Sequence, residues 1–138
     1  MPLAGWRPGF SPEEGMLMDA KDLGQLERFS AEKLSKVNLF ETERFFCDLY
    51  CLRPGQSQKI HSHAANDKIY YILRGEAKVT VGEESRSLRA GEIVLAPAGE
   101  PHGVRNDSAG DAVCLVFMAP HPDGALAGGA SSRPASLP

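Results

Sequence analysis

From Arg44 to Met118 the chain alternates short period-two runs with glycine or polar turns, and that rhythm limits its fold more tightly than any other feature. Phe45, Cys47, Leu49 and Cys51 fall on one side of such a run and Phe46, Asp48, Tyr50 and Leu52 on the other, the pattern of a strand. Pro54-Gly55 ends it. Further strands are expected at Gln58 to His63, Ile69 to Leu73, Ala77 to Val81, Ser85 to Leu88, Ile93 to Ala96 and Ala112 to Met118. Arg74-Gly75, Val81 to Glu83, Ala90-Gly91 and Ala109-Gly110 supply the breaks between them. So many short strands predict an all-β fold, a sandwich or a barrel, and closing the sheet removes exposed edges.

Ahead of the strands, Leu23, Leu26 and Leu34 with Lys and Glu interspersed permit a short helix or two between Asp19 and Asn38, with Ser30 as a cap. The chain therefore divides into a flexible leader over residues 1–18, one barrel domain over 19–120 and a tail over 121–138. From Gly124 onward the tail is almost entirely Gly, Ala, Ser and Pro, which bury too little apolar surface to offset the entropy of ordering, so it is expected to be disordered.

At 138 residues one domain accounts for the chain. A formal net charge of −3 and a charged fraction of 24% give no reason to expect a nucleic-acid or membrane partner. No apolar run approaches the roughly 20 residues of a membrane helix. The stretch from Met1 to Phe10 lacks a secretory pattern, so a cytoplasmic location is expected. Cys47, Cys51 and Cys114 form no C-x-x-C pair and are expected to be free thiols.

His61 and His63, two apart on an expected strand, project to one face and can share an ion. His102 follows the stiff turn Pro97-Ala98-Gly99-Glu100-Pro101 and is the natural third ligand. These residues sit in a longer pattern: Gly55, five residues, His61-Ser62-His63, four residues, Lys68, six residues, Gly75. After 15 intervening residues comes Gly91, five residues, Pro97-Ala98-Gly99, two residues, His102, three residues, Asn106. In this the chain resembles the cupin superfamily, with lysine at the place of the first motif's glutamate.

The resemblance implies a double-stranded β-helix, a jelly-roll-like barrel, after a short N-terminal helical or irregular segment. It also implies a divalent metal held by His61, His63 and His102 in the barrel mouth, with Gly75 and Gly91 in turns. Fe, Mn, Ni, Cu and Zn are all acceptable to such ligands. An ammonium about 5 Å from a dication would feel roughly 6 kcal/mol of repulsion at an effective dielectric near 20, so a charged Lys68 should not point at the ion. Three outcomes follow, in order of expectation: Lys68 leans aside and leaves a three-histidine site, Asp67 turns inward as a fourth ligand, or no metal binds.

Tyr70 and Ile72 share the face of Lys68 and are pocket candidates, with plain core packing as the alternative. Asn106 is expected to fix a turn, His121 to be solvated, and Glu83, Glu84 and Arg86 to form an exposed hairpin tip. The face holding Phe46, Tyr50 and Leu52 would be costly to leave in water, which suggests a homodimer. A three-histidine site keeps two or three positions open for water, substrate or oxygen. The favoured reading is thus a metal-dependent oxygenase, isomerase or lyase acting on a small polar metabolite, with Lys68 pairing to a substrate carboxylate or moving protons. The alternative is a cupin that binds or senses a small ligand without catalysis.

Overall fold

In the computed structural model, which describes residues 17–123, the alternating runs condense into two antiparallel sheets. The strands are β1 (Ser35–Glu41), β2 (Phe46–Leu52), β3 (Ser57–His61), β4 (Asp67–Arg74) and β5 (Glu76–Val81). They continue with β6 (Glu84–Arg89), β7 (Ile93–Ala96), β8 (His102–Arg105) and β9 (Ala112–Ala119). One sheet has the order β1-β2-β9-β4-β7 and the other β3-β8-β5-β6. Tyr50, Leu52, Tyr70, Ile72, Cys114 and Val116 of the first sheet meet Ala77, Val79, Leu88 and Val104 of the second in one buried core. This is the all-β double-stranded β-helix that the strand rhythm and the motifs imply.

Ser35–Glu41 departs from expectation. The region up to Asn38 read as helical or irregular, yet only Leu23–Leu26 forms a single helical turn, α1. Its cap is Asp22, whose side chain accepts from the Gly24 amide at 3.1 Å, rather than Ser30. Ser30 instead accepts from the Glu32 amide within a bend. The physical reason lies in β1 itself: Val37 and Leu39 alternate with Lys36 and Asn38, and pairing with β2 in register Val37↔Leu49 and Lys36↔Tyr50 satisfies that period. Leu23, Leu26 and Phe29 then cover the outer face of the five-stranded sheet, packing on Leu39, Leu49, Cys51 and Val113.

β2 consequently has two different faces. Cys47, Leu49 and Cys51 join that outer cluster, so Cys47 and Cys51 pack away from the barrel interior, while Cys114 lies in the main core. Tyr50 and Leu52 belong to the core between the sheets. The apolar surface that suggested a homodimer is therefore covered inside the barrel, and Phe46 and Asp48, further along the same face, line a cavity. The hairpin tip is exposed, with Arg86 paired to Glu84 at 3.0 Å.

Among the described residues, two glycines carry the tightest backbone approaches. At Gly75 φ is +78°, and an added Cβ would come within 2.2 Å of the Asp111 carbonyl oxygen. In β8 a Cβ on Gly103 would meet the Gln58 carbonyl oxygen at 2.9 Å, so glycine here lets β8 close on β3. At the chain's far end the expected tail begins too early. His121 is buried, and its amide donates to the Arg44 carbonyl oxygen. Residues 1–16 and 124–138, on which most of the leader and tail expectations fall, lie outside the described residues. No helix among the described residues is long and apolar enough to cross a membrane.

Candidate metal centre

His61 ends β3 and stands directly across from His102, which begins β8. That cross-strand pairing, adjacent to a register shift between Gln58 and His61, brings the two rings to 4.6 Å between centroids. His63 does not reach the site by strand alternation, because β3 stops at His61. A backbone clamp sets it in place: its carbonyl oxygen accepts from the Gly99 amide at 2.8 Å, in the turn that also aims His102. The His63 ring lies 4.8 Å from that of His61 and 5.3 Å from that of His102. One ring nitrogen from each histidine falls within 4.8 Å of the others.

The hydrogen bonds fix which nitrogens are available. His61 Nδ1 lies 2.8 Å from the Lys59 carbonyl oxygen and His102 Nδ1 3.0 Å from that of Glu100. A carbonyl oxygen can only accept, so each Nδ1 carries the proton and each Nε2 presents a lone pair. Both Nε2 atoms are buried without a hydrogen-bond partner among the described residues. Burial lowers both imidazole pKa values, that of His102 to about 4, against the smaller raising effect of those backbone bonds, so both rings are neutral near pH 7. Neutral imidazoles gathered this closely, with the outer nitrogens of His61 and His102 held by the backbone, are a donor set suited to a divalent transition metal.

Lys68 occupies the interior of β4 and is 1% exposed. It leans toward Gln58, with Nζ donating to Oε1 at 3.2 Å. The same oxygen accepts from the Tyr70 hydroxyl at 3.3 Å, while Gln58 Nε2 donates to the Tyr50 hydroxyl at 3.0 Å. Burial, aided by nearby Lys36, lowers the Lys68 pKa to about 7. Asp67, on the opposite face of β4, is exposed and accepts from the Ala98 amide at 2.9 Å. It ties down the His102 turn instead of joining the histidines. Tyr70 supports Gln58 from the core, and Ile72 is fully buried core with no place on the cavity wall.

Asn106 holds a turn: its amide donates to the carbonyl oxygens of Leu52 and Gly110, and its oxygen accepts from the Ser108 amide and hydroxyl. A cavity of about 330 Å³ opens beside the histidines, with His63 and Lys68 on its wall. Lys36, Asn38 and Glu41 of β1, Asp48 of β2, Gln58 of β3, His121 and Asp123 add to its polar lining. Asn38 donates to Asp48 at 2.9 Å, and burial raises the Asp48 pKa against that bond. His121, expected to be solvated, is buried with its Nδ1 accepting from the Asp123 amide and its Nε2 on Glu41. Period two alone would have placed Lys36, Asn38, Asp48 and Tyr50 on one surface had β1 been recognised. Nothing in the local sequence marked His121.

Comparison with known proteins agrees with this architecture. An uncharacterised protein of Streptomyces coelicolor is 38% identical over 106 residues, 75% of this chain and 98% of that protein. The oxalate-binding protein of Thermotoga maritima is 32% identical over 96 residues, 70% of this chain and 76% of its own. A Thermus thermophilus crystal structure superposes with a TM-score of 0.75 at 52% identity, covering 76% of this chain and all of that one. The cupin domain model matches residues 48–118, from the middle of β2 to the end of β9 and through all three histidines. This chain belongs to the cupin superfamily.

Proposed function

We propose that this cupin is a metal-dependent enzyme of the oxygenase, isomerase or lyase type acting on a small organic acid. The observation that carries the reading is the pair of buried Nε2 lone pairs on His61 and His102, each held by a backbone carbonyl behind it and neighboured by His63. Such groups are costly to bury unless something accepts their coordination. A bound divalent ion would supply Lewis acidity or oxygen activation at positions that three protein ligands leave open. The adjoining cavity has room for a small metabolite, and the oxalate-binding relative supports an acid as its class.

Within that reading, His61, His63 and His102 hold the ion, and the buried wall of Gln58, Tyr50 and Tyr70 fixes the position of Lys68. Lys68, with a pKa near neutrality, is suited to pairing with an anionic group or to proton transfer. A non-catalytic binding role is the second reading, and the lysine at the usual acid position favours it. Elemental analysis of untagged protein tests the site: about one equivalent of metal per chain in wild type and little in the His61→Ala, His63→Ala double variant. Absence of metal from wild type after reconstitution would reject the metalloenzyme. Incubation of the metal-loaded protein with small organic acids, followed by NMR, separates turnover from binding, since a binder returns its ligand unchanged.

A further inference from the structure

The cavity carries a feature that a metal site does not require. Lys36 Nζ lies 5.4 Å, and Lys68 Nζ 5.6 Å, from the centre of the same Tyr50 ring. Lys68 is also 5.2 Å from the Tyr70 ring. An aromatic face is a favourable neighbour for a cation but leaves its N–H groups unspent. An ammonium has three donors, and Lys68 places one on Gln58 Oε1. Its surroundings are otherwise two aromatic rings, Asp48 acting through space, and the open cavity, on whose wall it stands with His63.

Among the acids on the cavity wall, Asp48 acts through space on both lysines without a direct ion pair to either among the described residues. Asp48 accepts from Asn38, and Glu41 is bonded to His121. With a cation at Lys68, another at Lys36 and a dication on the histidines, Asp48, Glu41 and Asp123 would offset only part of the positive charge at this end of the cavity. A neutral ligand relieves none of that repulsion, whereas a carboxylate relieves it and accepts the spare N–H groups of Lys68.

Resting on the metal-site reading above, we propose that Lys68 is a specificity-determining residue: it holds a second carboxylate of the ligand, one that does not coordinate the metal, with Lys36 adding to the attraction from across Tyr50. The glutamate position of the motif has thus changed role. Where an acid at that position would face the ion, this chain places a cation that requires the ligand to bring the acid. The ligand class is a short dicarboxylate, held between the histidine-bound ion and the Lys68 ammonium.

Calorimetric titration of metal-loaded protein with malonate and succinate tests this, with acetate, malonamide and inorganic phosphate as comparators and metal content measured in every sample. One dicarboxylate should bind wild type and lose about ten- to hundredfold in affinity in Lys68→Met with its metal retained, the size expected for a lost charge-assisted hydrogen bond. Lys36→Met should lose less, acetate should be indifferent to Lys68→Met, and malonamide should bind poorly throughout. Equal dicarboxylate affinity in wild type and metal-bearing Lys68→Met would overturn the proposal. So would stronger binding of phosphate than of either dicarboxylate, or no dicarboxylate binding by a metal-replete wild type, and both would leave the metal reading standing. A wild type that takes up no metal would overturn the metal reading itself and this proposal with it.

Discussion

At Lys68 the barrel buries an ammonium whose solvation is replaced by one amide oxygen and two aromatic rings. Its pKa falls from 10.5 to about 7, chiefly through burial. Below about 7 both folded and unfolded chains carry the proton, and the fold bears the full cost of burying the charge. Between 7 and 10.5 the unfolded state binds the extra proton, so this contribution to stability improves as pH rises. Metal-free Lys68→Met should therefore be more stable than wild type at low pH, by on the order of a few kcal/mol, with the gain shrinking as the pH rises above neutrality. Gln58 Oε1 keeps its Tyr70 partner in the variant, so no acceptor is stranded. Urea unfolding at about pH 6 and about pH 9.5 measures this, and a variant less stable at both would contradict it.

Among elements, residues 120–123, which follow β9, are tied to the barrel. Asn66 donates to the Pro120 carbonyl oxygen, the His121 amide donates to that of Arg44, and the His121 ring meets Phe46 edge-on while bonding Glu41. The segment thereby closes one side of the cavity against β1 and β2. His121→Ala should cost about 1–3 kcal/mol, since it removes a buried hydrogen-bonded ring, while leaving metal uptake at wild-type level. Thermal unfolding with parallel metal analysis checks both parts, and loss of metal in the folded variant would show that His121 belongs to the metal site. β1 and this segment were also the least legible parts of the sequence. The Leu23, Leu26 and Leu34 spacing suits helix and strand packing alike, and pairing with β2 settled β1 as strand. A lone histidine after the last strand has no local signature, because its partner Glu41 lies 80 residues earlier.

Across the whole molecule, the strand rhythm from Arg44 onward was enough to give an all-β sandwich or barrel, because glycine and polar turns mark the strand ends directly, and the histidine-bearing motifs narrowed it to the double-stranded β-helix. The histidines were legible through spacing, although the route to convergence differs. His61 and His102 meet as cross-strand partners, and His63 is set by the Gly99 backbone bond, a long-range contact that alternation does not encode. Asp67 fell at a permitted ligand spacing, but strand parity sends it outward to Ala98, and the same parity sends Lys68 in. The fate of Tyr50 and Leu52 could not be read until the second sheet was in place to cover them, nor that of Phe46 until His121 and the cavity were.

An open three-imidazole site with Lys68 beside the ion rather than on it can be seen in crystals of the cobalt-loaded protein by an anomalous difference map. One peak is expected, bonded to Nε2 of His61, Nε2 of His102 and a ring nitrogen of His63, its remaining positions free of protein ligands. A peak coordinated by Lys68 or Asp67, or a metal bound elsewhere with the three histidines bare, would contradict it.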